Sequence, residues 1–222
     1  MSRRLGLVVV ALALGPGLAL AAPGGSPRYK PVAKDVRWAK DSVLHVEEVP
    51  PQYRRDPGRY ADVLLPQCPR YYAPDRSDLT GTGVAESYFR AGNAGLGSVV
   101  YVFARQTDTE QWWKRVVTDR YVTCLARQLA AHPGGGFKAK ILSASRLRMK
   151  LNFAQPSAEF RVVIRYSKSG RSEDAVWVAV FFQVSRAIAV VSDTDVLRPC
   201  ECAERLAQHV FARIVRSDPH FL

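Results

Sequence analysis

The sequence predicts an α+β fold: an antiparallel β-sheet of about four to six strands with two main helices packed on one face, preceded by a Pro-rich arm. Three observations predict it. Runs rich in β-branched and aromatic residues recur between 97 and 192, separated by short polar turns. Two stretches, beginning near Thr107 and Cys202, place apolar residues at helical spacing. Residues 23–76 are dense in Pro and charge, as in Val49-Pro50-Pro51-Gln52-Tyr53-Arg54-Arg55-Asp56-Pro57-Gly58.

The chain opens with Arg3 and Arg4, an apolar run from Leu5 to Leu20, and the small-x-small pattern Ala19-Leu20-Ala21. That order predicts a secretory signal peptide over residues 1–22, cleaved near Ala21. A membrane-spanning helix needs about 20 continuous apolar residues, and Gly15-Pro16-Gly17 interrupts this run. No later stretch is long and charge-free enough to span, so no transmembrane anchor is expected after cleavage. Residues 23–76 form the predicted Pro/Tyr/Arg-rich arm. Within it, Ser42 to Val49 is the one apolar piece and is expected as a strand ended by Pro50 and Pro51.

Residues 77–222 form the predicted folded domain. Gly92 to Gly97 lacks the strand-to-helix context of a phosphate loop and is expected as a tight turn. Gly97 to Phe103 reads as a strand. Thr107 with Glu110 has capping-box spacing and opens a helix whose core stripe is Trp113, Val116, Val117, Tyr121, Cys124 and Leu125, with Trp112 at its edge. The helix ends before His132-Pro133-Gly134. Alternation over 140–151 suits a strand, and Glu159 to Tyr166 alternates cleanly. Ala175 to Val184 is a continuous apolar run expected as a central strand. Ser185-Arg186 reverses the chain into Ala187 to Ser192, which completes an antiparallel meander. The last helix buries Ala203, Leu206, Ala207, Val210, Phe211 and Ile214, with Arg205, Gln208 and Arg213 outward.

The 222 residues carry a net charge of +12, or +10 once Arg3 and Arg4 are removed with the signal. Basic residues are scattered, which argues against a tracking groove, and no specific nucleic acid is expected as a partner. Four cysteines in an exported chain read first as disulfides. Cys68, Cys124, Cys200 and Cys202 allow three pairings, of which Cys68–Cys124 is favoured, closing a loop of about 55 residues. Cys200-Glu201-Cys202 can also hold a soft ion, but no further ligand pair lies nearby in sequence.

No catalytic constellation is legible. His45, His132, His209 and His220 are the available bases, and neither Gly-x-Ser-x-Gly nor His-Glu-x-x-His occurs. Glu159, Glu173 and Asp174 are the acids available for a carboxylate pair, the last two in a polar turn. No catalytic residue, metal ligand or cofactor is therefore expected. Tyr53, Tyr71, Tyr72 and Trp112 are the candidate ligand surface, because an aromatic arm tethered by Cys68 can lie against the sheet's open face.

Ser98 to Phe103, the helix around Cys124-Leu125, Phe160 to Tyr166, Val176 to Val191 with its Ser185-Arg186 turn, and Cys202 to Ile214 carry a resemblance of pattern. Residues about 85–216 resemble the extracytoplasmic sensor-like domains of mycobacterial serine/threonine kinases and related actinobacterial exported proteins. The resemblance implies a Mog1/PsbP-like sandwich and a binding or sensing role without catalysis, and it transfers no functional residue. This chain lacks a kinase domain. The expectation is an exported, non-enzymatic binding or sensing module of the cell envelope, its ligand or protein partner unknown. Two alternatives stand beside it: an exported enzyme whose site assembles only in three dimensions, and a basic module that binds anionic envelope polymer.

Overall fold

A computed structural model describes residues 25–57, 68, 71–131, 136–147, 156–195 and 202–218. Residues 1–22, read from the sequence as a signal peptide, lie outside these residues. In chain order the elements are β1 (Arg28–Tyr29), α1 (Ala33–Ser42), a 3-10 turn (Val46–Glu48), β2 (Arg54–Arg55), β3 (Thr80–Ala91), β4 (Ala94–Phe103), α2 (Gln106–Val116), α3 (Asp119–Ala131), β5 (Lys138–Leu147), β6 (Ser157–Lys168), β7 (Arg171–Val184), β8 (Ala187–Asp195) and α4 (Cys202–Ser217). The α+β class is as expected, but the details differ. The sheet has eight strands, not four to six, in the order β1-β3-β4-β8-β7-β6-β5 with β2 also on β3. It is mixed rather than antiparallel, because β1 runs parallel to β3.

The helices occupy both faces, not one. On the first face α2 lies over β4 and β8, and α3 over β5 and β6. Trp112, Val116, Tyr121 and Leu125 there meet Val99, Phe103, Phe160, Phe181 and Val190. Tyr121 sits 5.1 Å from Phe160 and 5.0 Å from Phe181, ring centre to ring centre. On the second face α1 lies over β3 and β4, and α4 over β7 and β8. Trp38, Leu206, Val210 and Ile214 there meet Leu96, Val100, Val180, Phe182 and Val191. Strands β4, β7 and β8 are thus covered twice, which is why their sequences are apolar without alternation.

Four local expectations are corrected. Ser42 to Val49 is not a strand: it is the end of α1 and the 3-10 turn. The buried stripe of α1 is Asp35, Trp38, Ala39 and Ser42. Its spacing is helical, but two of its four members are polar, so an apolar pattern does not reveal it. The single helix from Thr107 is two helices. Val116, Val117 and Thr118 are consecutive β-branched residues of low helix propensity, and Thr118-Asp119 starts the next helix. The break rotates the stripe: Trp112 is 1% exposed and Trp113 is half-buried, the reverse of the expectation. The Thr107–Glu110 capping box does not form. Arg105 occupies the N-cap with no side-chain cap bond.

Residues 25–57, read from the sequence as arm, contribute β1, α1 and β2, and they bury Trp38, Leu44, Val49 and Tyr53 in the second core. Gly83 on β3 permits this: a Cβ there would overlap the backbone carbonyl of Asp35, so α1 sits directly on the strand.

Candidate binding surface

The two faces of the sheet are unequally covered. On the second face no described helix packs on β5 or β6. The residues presented there follow from register. On β6, Phe160, Val162 and Ile164 point to the first core, so Arg161, Val163, Arg165 and Ser167 point away from it. Their cross-strand neighbours on β7 are Val178, Val176, Asp174 and Ser172. On β5 they are Ser145, Ser143, Lys140 and Lys138.

The β6–β7 hairpin sets this register through Ser169 and Gly170, both at positive φ (51° and 78°), which matches the two-residue turn that suits twisted strands. Arg165 therefore faces Asp174 and donates to it twice, at 2.7 and 2.8 Å. That guanidinium holds the Asp174 carboxyl below its ordinary pKa. Ser167 and Ser172 hydroxyls meet at 2.8 Å. Lys138, Lys140, Ser143, Ser145 and Arg165 are exposed, whereas Val163 and Val176 are half-buried. Toward α4 the face becomes enclosed. Val178 packs on the second core and Glu159 is buried. Arg161 lies between these zones, and its Nε has no hydrogen-bond partner. On this face Lys138, Lys140, Arg161 and Arg165 outnumber Asp174 and Glu159, around the half-buried Val163 and Val176.

An open concavity of about 300 Å³ lies between α1 and the end of α4, lined by Lys34, Arg37, Trp38, Asp41 and Ser217. Beneath it is a buried clamp. Arg186, from the β7–β8 turn, donates to both Asp35 carboxylate oxygens at 3.0 and 3.2 Å and to the Phe103 carbonyl at 2.6 Å. Thr82 donates to Asp35 at 2.6 Å. Burial alone raises the pKa of Asp35, but the Arg186 and Thr82 hydrogen bonds outweigh it, and the net value lies below the ordinary one. The Arg186 guanidinium also stands 5.8 Å from the centre of the Trp38 ring. These groups fix α1 on the sheet, and each is engaged by the others.

Of the four residues expected to form a ligand surface, Tyr53, Tyr72 and Trp112 are interior. Tyr71 is 36% exposed, with Arg127 over its ring at 4.7 Å. Cys68 and Cys124 form a disulfide that ties the segment before β3 to α3. Cys202, at the start of α4, is also disulfide-bonded, and Cys200 lies outside the described residues. His132 and His220 lie outside them as well. His45 pairs with Glu47, and His209 with Glu48. Arg213, expected outward, joins Glu48 in an ion pair between α4 and the 3-10 turn. Glu173 is exposed at the β6–β7 hairpin. Among the described residues no group of three or more His, Cys, Asp or Glu is placed to hold a metal. Among them, too, no helix is long and apolar enough to cross a membrane.

Sequence reasoning expected one whole face of the sheet to be open and missed both its covering by α1 and α4 and the Asp35–Arg186 clamp. The alternation of β6 did signal where the face stays open: an outward row of Arg161 and Arg165 opposite a fully apolar row is what a singly covered strand shows. The clamp joins residues 151 positions apart and left no local signal. No protein-family model and no curated protein matches this chain.

Proposed function

We propose that the protein is an exported, non-enzymatic binding or sensing module of the cell envelope, and that it takes its partner on the outward face of β5 and β6. The carrying observation is the unequal covering of the sheet. The second face is closed over β3, β4, β8 and β7 and left polar and accessible over β5 and β6. The export reading is supported by the order of features in residues 1–22 and by the Cys68–Cys124 disulfide, which fits an oxidising compartment.

A second reading narrows the first. The surplus of Lys138, Lys140, Arg161 and Arg165 on one face favours an anionic envelope polymer as the ligand. The neighbouring Ser143, Ser145, Ser167 and Ser172 hydroxyls supply the hydrogen bonds that a glycan chain uses. The test is an amide hydrogen-exchange footprint of the mature protein with and without a polyuronate chain. Slowed exchange over 138–147 and 157–168, with 187–195 unchanged, is the expected result. Protection confined to α1 and the end of α4 would move the site to the Trp38 hollow and overturn the proposal.

A further inference from the structure

The turn that leads into β3 holds a buried cation that no described residue meets in an ion pair. Arg76 is 4% exposed. Its backbone is fixed on both sides: its N–H donates to the Gly25 carbonyl at 2.8 Å, and its carbonyl accepts from Leu79 N–H at 3.0 Å. Its Nε has no hydrogen-bond partner, and it forms no ion pair with any described residue.

The nearby Asp75, Asp78 and Tyr72 oxygens make contacts of their own. The Asp75 carboxylate accepts from the Ser77 backbone N–H at 2.9 Å. Asp78 is paired with both ends of the Arg115 guanidinium, and Arg115 also holds the Asp75 carbonyl at 2.9 Å. Tyr72 donates its hydroxyl to the Val116 carbonyl at 2.8 Å. Burial depresses the pKa of Arg76, against the fields of Tyr72, Tyr101 and Asp75. A guanidinium does not lose its proton in a protein, so the charge stays. A buried charge lacking a counter-charge is strongly unfavourable, and an apolar side chain of similar volume would serve the fold better.

We propose that Arg76 is the cationic half of an anion-binding site at the base of β3, completed by a small oxyanion. The planar fork of its guanidinium suits two oxygens of a phosphate, a sulfate or a carboxylate. The site is independent of the β5–β6 face, at the opposite end of the strand order.

The test compares the thermal midpoints of the wild-type mature protein, Arg76→Met and Arg76→Lys. Phosphate, sulfate or acetate is titrated at constant ionic strength. A ligand that binds only the folded state raises the midpoint with concentration, and about 2–4 °C is expected for the wild type at about 10 mM phosphate. Exclusion of such salts from protein surface stabilises all three proteins alike, so the difference between them is the readout. Arg76→Met is expected to lose the response and, without oxyanion, to be at least as stable as the wild type. Arg76→Lys is expected to respond more weakly. A response to acetate alone assigns a carboxylate ligand, and a response to phosphate or sulfate assigns a tetrahedral one. No response in the wild type, an equal response in Arg76→Met, or an Arg76→Met chain that fails to fold would each overturn the proposal.

Discussion

Strands β7 and β5 belong to one sheet, yet they differ throughout. Val180, Phe181 and Phe182 are fully buried, because α2 and α3 form the layer on one side of the sheet and α4 packs on the other. Lys138 to Leu147 has no buried residue. A strand enclosed by helices on both faces is apolar at most positions, and Ser98, Gln183, Ser192 and Asp193 are the buried polar exceptions here. A strand with one free face keeps polar residues there, because their desolvation would be unfavourable. Where this sheet alternates, it has a face to offer.

The largest expected effects fall on the doubly covered half. Phe182→Ala removes a ring packed 5.9 Å from Phe211 beneath α4 and is expected to destabilise by about 3–5 kcal/mol in chemical denaturation. Asp35→Ala leaves Arg186 buried without its partner, and about 3–5 kcal/mol is expected again. Asp35 also predicts a pH dependence. Its folded pKa lies below the unfolded value, so its contribution is complete above about pH 4 and is lost as pH falls through the lowered folded value. Asp35→Asn should flatten that part of the stability profile. An unchanged acid limb would show that the clamp contributes nothing.

Replacing Cys68 and Cys124 by Ser comes next. The bridge spans 56 positions, and its loss is expected to lower stability by about 2–4 kcal/mol while leaving β5 and β6 assembled. The smallest effect belongs to the singly covered half. Val163→Ala, on the open face, is expected to change stability by less than about 1 kcal/mol. A loss as large as that of Phe182→Ala would mean that the face is closed in solution, and the comparison would fail.

These contrasts also explain what the sequence disclosed. β6 and α4 were legible because their periodicities are unbroken, Phe160, Val162 and Ile164 at period two and Leu206, Val210 and Ile214 at helical spacing, and β7 and β8 because their apolar runs are bounded by short turns. β3 was not legible, since Thr80-Gly81-Thr82-Gly83 carries no apolar alternation and its pairing is fixed by β4. α1 was hidden by Asp35 and Ser42 in its buried stripe: Arg186 satisfies Asp35 from 151 positions away, and Ser42 donates to the Trp38 carbonyl one turn back in the same helix. Tyr53, Tyr72 and Trp112 looked like surface aromatics. Nothing local distinguishes a ring that stacks on a ligand from one that fills a core. The restriction of the open face to β5 and β6 emerged only once the helices had been assigned to strands.

The most direct test is the affinity of the mature protein for a polyuronate chain, measured against the double charge reversal Lys138→Glu with Lys140→Glu. Both residues are exposed on the edge strand and carry no core contact, so the thermal midpoint should not move. The account predicts at least a tenfold loss of affinity and a shallower dependence on salt in the variant. Equal affinity for the two proteins, or wild-type binding that salt does not weaken, would contradict it.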